Sequence, residues 1–112
     1  MASGHFELKT AAGGKFAFNL KAANNQAILT SETYSSKSGA QGGIASVKSN
    51  APKDSQYERK TAKDGSPYFV LKAQNGETIG KSEMYSSASA LESGIASVKT
   101  NAPGAEIKDL TT

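Results

Sequence analysis

Few residues of this sequence could do covalent chemistry, since the chain has no cysteine and a single histidine. The missing cysteine excludes disulfides, thiolate nucleophiles and cysteine-bearing zinc sites. His5 lies near the start of the chain, where we expect an exposed side chain rather than a base or a ligand. A Ser-His-Asp site would need this histidine and an ordered partner, and a metal site needs clustered ligands, so the sequence predicts neither.

Two glutamates, Glu32 and Glu83, occupy equivalent places in a repeat described below. Paired carboxylates can do acid–base work if the fold brings them together. The alternative is that each carboxylate anchors a neighbouring amide or lysine, and we favour this structural interpretation. A small enzyme that uses the glutamate pair stays open, and it requires the two side chains to meet.

The motif Tyr-Ser-Ser occurs twice, each time in front of a predicted helix. A tyrosine and hydroxyls beside the free amides of a helix start could bind an anion. The alternative is an N-cap serine next to a packed aromatic ring. The candidate binding residues are Tyr34, Ser35, Ser36, Tyr85, Ser86 and Ser87. We predict no catalytic, cofactor-binding or metal-binding residue, and the glycine-rich segment 11–15 lacks the spacing of a phosphate loop.

These duplicated motifs belong to an internal repeat. The stretch GIASVKSNAP begins at Gly43, and GIASVKTNAP begins at Gly94. A shift of 51 residues aligns residues 6–56 with residues 57–107 without a gap and gives 26 identities. This similarity indicates duplication, so the architecture of one copy predicts that of the other.

The first part of each copy predicts three strands. HFELK and KFAFNLKA alternate apolar and polar residues, which is the pattern of half-buried strands. Asp64-Gly65 is a strong hairpin pair, and Asn24-Asn25 and Asn75-Gly76 are predicted tight turns. QAILTSE and ETIGKSE supply the third strand, and Pro67 must begin its strand or lie at an edge. The three strands form an antiparallel meander.

The second part of each copy predicts a helix. One apolar stripe has helical spacing in both copies and comprises Ala40, Ile44, Val47 and Ala51, then Leu91, Ile95, Val98 and Ala102. The serines of the Tyr-Ser-Ser motif are natural N-caps. We expect Asn50 and Asn101 in the left-handed position after the helix and Pro52 and Pro103 to prevent its continuation. Gly43 and Gly94 border the stripe, so the helix should approach its neighbours closely there.

The sequence therefore predicts an α+β fold with two tandem β-β-β-α repeats related by a pseudo-twofold axis, an antiparallel sheet covered by two helices. Residues 1–112 form a single compact unit, with repeat one at 5–52, a link at 53–56, repeat two at 57–103 and a tail at 104–112 that we expect to fray. The logic is that of a symmetric dimer fused into one chain. We expect a monomer with this internal pseudo-dimer.

Composition and charge limit the functional classes. No apolar run approaches the length of a membrane span, and the N-terminus lacks the apolar core of a signal peptide, so a cytoplasmic location is expected. The net charge of +3 lies in residues 1–56, whereas basic and acidic residues balance in 57–112. A basic first half could attract phosphate weakly. Nucleic-acid binding is not favoured by so small an excess, but it stays open.

The motifs also resemble a known family. A strand of the type F-x-[FL]-K-A, an asparagine turn before x-I-x-x-S-E, then Y-x-S and G-I-x-S-V-K-x-N-A are similar to the repeat of the YegP-like family of small, poorly characterised bacterial proteins. The resemblance covers nearly the whole chain twice and implies a tandem β3α fold. It implies no activity and no cofactor. Asn19 and Val70 stand where the family often has a basic residue, which argues against anion binding by that strand face.

Taken together, these patterns predict a small non-enzymatic cytoplasmic protein that acts through binding or structure, with no cofactor and no known partner. One alternative is weak anion or nucleic-acid binding through the basic first half. Another is a small enzyme that uses the paired carboxylates.

Overall fold

The computed structural model describes residues 4–22 and 26–111. Within these residues, two helices and one seven-stranded sheet form an α+β fold. In chain order the elements are β1 (His5–Ala11), β2 (Lys15–Lys21), β3 (Ala27–Thr30), α1 (Lys37–Asn50), β4 (Tyr57–Thr61), β5 (Pro67–Lys72), β6 (Thr78–Lys81), α2 (Ala88–Asn101) and β7 (Glu106–Asp109). The predicted α+β class and the order of three strands and a helix in each repeat are confirmed.

Local sequence signals account for the strands and their turns. β1 buries Phe6 and Leu8, as the period-two pattern predicts, whereas Phe18, Asn19 and Leu20 of β2 are buried in succession. Gly65 has a φ of 89° in the hairpin between β4 and β5, a value that glycine adopts without strain. Gly76 has a φ of 87° in the turn before β6, and Pro67 is the first residue of β5. The predicted turn at Asn24-Asn25 lies outside the described residues.

The two meanders join into one sheet with the strand order β4-β5-β6-β3-β2-β1-β7. At the junction β3 and β6 pair antiparallel, with Thr30 opposite Lys81. These two residues are equivalent under the 51-residue shift. An antiparallel pairing of equivalent positions is the arrangement that a twofold axis between the repeats would produce. The contact therefore supports the expected pseudo-twofold axis.

Both helices pack against strands of both repeats. α1 contacts β1 and β2 of its own repeat and also β5 and β6, whereas α2 contacts β5 and β3. The two predicted apolar stripes are buried in one core together with the inward-facing strand residues. Neither helix has the length and apolar character that crossing a membrane requires, and this holds for residues 4–22 and 26–111.

The helices end differently from the expectation for their asparagines. Asn50 and Asn101 are the last helical residues, and the following residue, Ala51 in α1, keeps a right-handed φ of −54°. Each asparagine turns its amide back along its own helix, where Nδ2 donates to the carbonyl of Ser46 or Ser97 at 2.8 Å. The amide groups also reach the serine hydroxyls, at 3.3 and 3.1 Å. This contact explains why both serines recur on an outward helix face.

The junction of the repeats has room for one large side chain. Leu29 and Gly80 are equivalent residues, and they meet in the core beside the β3–β6 pairing. A Cβ atom on Gly80 would lie 2.6 Å from Cγ and 2.7 Å from Cδ2 of Leu29. Real Cβ atoms essentially never approach so closely, so a second side chain is excluded unless Leu29 moves. The two repeats therefore need different residues at this position.

The tail at 104–112, which was expected to fray, instead forms a seventh strand over Glu106–Asp109. β7 pairs parallel with β1, from His5 opposite Glu106 to Leu8 opposite Asp109. The Asp109 carboxylate forms a salt bridge with Lys37 at the start of α1. β7 thus covers the outer edge of β1, and Leu8 beneath it is fully buried.

The corresponding edge of repeat two has no such cover. Among the described residues, β4 pairs only with β5. Arg59 takes the place that Leu8 has in repeat one, and it is exposed. Its guanidinium binds Glu92 of α2 in a bidentate manner, with Nε and Nη2 donating at 2.6 and 2.9 Å. A charged residue at an open strand edge also opposes edge-to-edge association.

The Leu29–Gly80 contact predicts strong coupling between two substitutions. Leu29→Ala should lower the free energy of unfolding by about 2–5 kcal/mol, because it empties a buried site. Gly80→Ala should lower it by about 1–3 kcal/mol through overpacking. The double variant should be more stable than the sum of the single effects predicts, since the new methyl group enters the space that the leucine leaves. Urea denaturation of the four proteins measures this coupling, and strict additivity would contradict the assigned contact.

The Lys37–Asp109 contact predicts that β7 loosens in acid. Hydrogen bonds from Lys37 and then from Thr111 lower the pKa of Asp109 to about 2. A folded-state pKa below the unfolded value stabilises β7 above about pH 4 and stops doing so as the pH falls through 2. The carboxyl carbon shift of Asp109 and amide exchange in β7, followed by NMR from pH 5 to 2, should report this change together.

A matched pair of variants identifies the cause of this acid sensitivity. Lys37→Met should raise the pKa of Asp109 towards its ordinary value of about 3.9. Lys53→Met, which removes a lysine without an ion pair among the described residues, should leave it unchanged. Equal titration curves for both variants would show that Lys37 does not hold this carboxylate.

Candidate functional site

The sheet has one face without helices, which we call the open face, and it carries a concentration of lysines. The strand registers place alternate residues of each strand on this face. Seven lysines and three glutamates lie there, namely Lys9, Lys15, Lys21, Lys60, Lys72, Lys81 and Lys108 with Glu7, Glu58 and Glu106. The remaining charges of the chain are six basic and seven acidic. The net positive charge of the protein therefore comes from the open face.

Both repeats contribute equally to this charge. Each repeat places three lysines and one glutamate on the face, and β7 adds one residue of each sign. The positive charge of the open face is therefore shared by both repeats, and weak anion binding through the first half of the chain stays a prediction. A charge count for each half of the chain does not reveal the open face. A count over alternate residues of each strand would have revealed it.

Part of the charge on the open face is organised in ion pairs. Lys21 lies 3.3 Å from the Glu7 carboxylate, and Lys72 and Lys60 both contact Glu58. A hydrogen bond with His5 and then with Lys21 lowers the pKa of Glu7. Hydrogen bonding to Lys72 lowers the pKa of Glu58 in the same way. Both shifts favour the ionised carboxylates that pair with these lysines.

Other lysines on the open face have no carboxylate partner among the described residues. Lys9, Lys15, Lys81 and Lys108 make no ion pair there, and all four are exposed. The ammonium group of Lys81 lies over the ring of Tyr68, 5.0 Å from its centroid. These groups are free to meet an incoming anion.

Asn19 of β2 and Val70 of β5 lie on the open face. Both are buried, at 8% and 6% exposure, and Asn19 donates from Nδ2 to the hydroxyl of Thr30 at 2.9 Å. They mark the departure from the family pattern that argued against anion binding. The charge of the face does not depend on these two positions, because the neighbouring strand residues supply it.

His5 is part of this face rather than of a frayed terminus. It begins β1, its side chain is only 14% exposed, and Nε2 lies 3.0 Å from the Glu7 carboxylate. The expectation of an exposed histidine is wrong because pairing with β2 and β7 orders the start of the chain. No group of three or more metal-ligating side chains exists in residues 4–22 and 26–111.

Glu32 and Glu83 line one cleft at the junction of the repeats. The cleft has a volume of about 450 Å³ and is also lined by Thr30, Ser31, Lys81, Ser82 and Met84. The structure thus brings the two glutamates to one place, as the enzyme alternative requires. Both are exposed, and neither carboxylate makes a hydrogen bond or ion pair within the described part of the chain. The expected anchoring of an amide or lysine is absent from these contacts; instead the backbone carbonyls of both glutamates accept from the preceding serine hydroxyls.

The Tyr-Ser-Ser motifs make the contacts of the structural alternative. Ser36 Oγ accepts from the amide of Gly39 at 3.0 Å, and Ser87 Oγ accepts from the amide of Ala90 at 3.1 Å. The second serine of each motif is therefore confirmed as the predicted N-cap, whereas Ser35 and Ser86 do not cap the helix. Anion binding at these helix starts stays a prediction.

The tyrosines of the same motifs pack between sheet and helix. The ring of Tyr34 stacks on Phe18 at 6.1 Å, and that of Tyr85 stacks on Phe69 at 6.2 Å. Each hydroxyl reaches the glycine of the following helix. A Cβ on Gly43 would lie 2.3 Å from the Tyr34 oxygen. The recurring glycine and the recurring tyrosine thus contact each other in both repeats. Burial at this contact raises the pKa of the Tyr34 hydroxyl.

This contact predicts opposite effects for two adjacent glycines of α1. Gly43→Ala should lower the free energy of unfolding by about 1–3 kcal/mol, because its methyl group would overlap Tyr34. Gly42→Ala has open space and should raise it by up to about 1 kcal/mol through helix propensity. Tyr34→Phe should partly rescue Gly43→Ala by removing the nearest atom. The melting temperatures of these variants test the prediction. Equal effects of Gly43→Ala and Gly42→Ala would contradict the contact between Gly43 and Tyr34.

Comparison with known proteins agrees with the fold. The family described as "Domain of unknown function (DUF1508)" matches residues 11–58 and again residues 62–109. The two matches are related by the same shift of 51 residues that aligns the repeats. A UPF0339 protein of Bordetella pertussis is 62% identical over 109 residues, which cover 97% of each chain. The UPF0339 protein YegP of Escherichia coli K12 is 51% identical, covering 97% of this chain and 99% of its own.

Two solved structures are similar over nearly the whole chain. The solution structure of a UPF0339 protein from Shewanella oneidensis has a TM-score of 0.92 at 50% identity, covering 97% of this chain and 92% of its own. That of yegP from E. coli, described as a protein of unknown function, has a TM-score of 0.94 at 50% identity, covering 99% and 96%. The resemblance found in the sequence is confirmed, and the chain belongs to the YegP-like UPF0339 family, with two tandem DUF1508 repeats.

Proposed function

We propose that this protein acts without catalysis, as a cytoplasmic monomer that binds an anionic partner on the open face of its sheet. The observation that carries the proposal is the segregation of charge. Seven lysines and three glutamates lie on one face of the sheet, while the rest of the molecule is nearly neutral. A surface of one sign attracts and orients a partner of the opposite sign.

The distribution of the lysines favours an extended partner over a single small anion. They lie on six of the seven strands, and neighbouring strands are about 4.8 Å apart. Among the described residues, only one of these lysines, Lys81, lines the cleft at the repeat junction. A polymer with repeated negative charges can meet several of them at once and release its counterions, which strengthens binding at low salt.

The cleft at the repeat junction gives less support to the enzyme alternative. Glu32 and Glu83 line it together, but both are exposed to solvent. General acid–base catalysis needs a carboxyl group positioned against the reacting atom. No hydrogen bond among the described residues holds either side chain in a fixed direction. Binding is therefore the function that the geometry supports better.

A titration with a generic polyanion tests the proposal. The anisotropy of fluorescein-labelled heparin should rise with added protein at low salt, and log affinity should fall linearly with log salt. Lys9→Glu, on the open face, should weaken binding by about fivefold, since it replaces attraction by repulsion. The matched control Lys53→Glu makes the same charge change off this face and should weaken binding by less than about twofold.

Two results would contradict the proposal. One is the absence of binding at low salt by a protein whose melting curve shows that it is folded. The other is an equal loss for Lys9→Glu and Lys53→Glu, because that would show a response to net charge and not to the open face.

A further inference from the structure

We infer that the anionic partner is a single-stranded nucleic acid, and that Tyr68 with Lys60 and Lys81 forms a nucleotide-binding subsite on the open face. This inference rests on the proposed function and adds the class of polymer. A nucleotide combines one negative charge with one flat ring system. The three side chains offer a matching combination of two cations and one aromatic face.

The geometry of the subsite is set by the sheet. Lys60 of β4 lies directly opposite Tyr68 of β5, so the two side chains are cross-strand neighbours. Lys81 reaches over from β6, and its ammonium lies 5.0 Å from the centre of the Tyr68 ring. The tyrosine is therefore bracketed by cations from the strands on both sides. Lys60 and Lys81 are exposed, and Tyr68 is half-buried.

Tyr68 differs from the other aromatic residues in its position. Phe6, Phe18, Tyr57 and Phe69 belong to the buried core, and the remaining rings pack against it. Tyr68 alone among the described aromatic residues stands on the open face. A half-buried ring on a sheet face surrounded by lysines is the arrangement with which proteins stack the unpaired bases of single strands.

The same features argue against other anionic partners. A duplex keeps its bases stacked inside and would leave the tyrosine unused. A membrane surface favours exposed apolar side chains that insert beside the cations, whereas Val70 on this face is buried. An acidic peptide would use the lysines without needing the ring. The Tyr68 ring is therefore the feature that favours a single-stranded nucleic acid over these other partners.

The internal repeat supplies a natural control for this subsite. Lys9 in repeat one is equivalent to Lys60, but Ala17 stands in place of Tyr68 and Thr30 in place of Lys81. Repeat one therefore offers charge without a stacking ring. The two halves of the open face should bind phosphates alike and bases differently.

Anisotropy titrations with a fluorescein-labelled 12-mer of deoxythymidine test the inference. Tyr68→Ala should weaken binding by about tenfold through the loss of one stacked base, whereas Tyr68→Phe, which keeps the ring, should stay within about twofold. Neither change should alter heparin binding. Lys60→Ala and Lys81→Ala should each reduce the salt slope by about 0.7, the value for one phosphate contact on a single strand.

The possible outcomes separate this inference from the function on which it rests. If heparin and the 12-mer both fail to bind, the proposed function and this inference are both refuted. If heparin, duplex DNA or phosphatidylserine vesicles bind as well as the 12-mer and Tyr68→Ala is neutral, polyanion binding stands and the nucleotide subsite is refuted. Thermal melts of each variant exclude loss of folding as the cause.

Ala17→Tyr gives a test in the other direction. This substitution places a ring at the position equivalent to Tyr68, directly opposite Lys9 of β1. It should strengthen binding of the 12-mer by about tenfold and leave that of heparin within about twofold, because a second base can then stack. An equal gain for both polymers would show that the new ring does not act by stacking on bases, and it would contradict the inference.

Discussion

The whole structure depends on the junction where β3 meets β6. This pairing turns two three-stranded meanders into one continuous sheet, and the sheet gives each helix a surface wide enough to cover its apolar stripe. A single repeat of about fifty residues would bury too little surface to be stable alone. Leu29 fills the space beside the junction, and Gly80 leaves it free. Both repeats therefore contribute to a single core, and neither repeat forms a complete core of its own.

A second constraint explains why the two copies stay so similar in their helices. The tyrosine before each helix stacks on a core phenylalanine and places its hydroxyl against the helix glycine. Each of these residues limits what the others can be. The asparagine at each helix end also donates to the hydroxyl of a serine four residues earlier, a contact that requires this side chain. Identity between the copies thus follows from contacts within each copy and does not require a duplicated active site.

Much of the fold follows from the sequence because the signals are local. Strand alternation, the helical stripes, the serine caps and the turns at Asp64-Gly65 and Asn75-Gly76 each depend on residues close in the chain. The position of β7 does not, because its four residues are all exposed and gain order from β1 and Lys37, far away in sequence. The conformation of Asn50 and Asn101 at the helix ends was also predicted wrongly. Asparagine suits both a left-handed cap and a side-chain hydrogen bond back to a helix carbonyl. The lysines of the open face alternate along the predicted strands, but the sheet order and the pairing of β7 were needed to join them into one surface.

The Leu29–Gly80 pair also shows what fusion of the repeats makes possible. In a dimer of identical single repeats, symmetry forces the same residue onto both sides of the axis. Two leucines would collide there, and two glycines would leave a void. One covalent chain removes that restriction, because each copy of a position can then mutate independently. The same freedom lets Tyr68 face solvent in one half while Ala17 does so in the other, so a molecule built from two like parts can present one polarised surface to its surroundings.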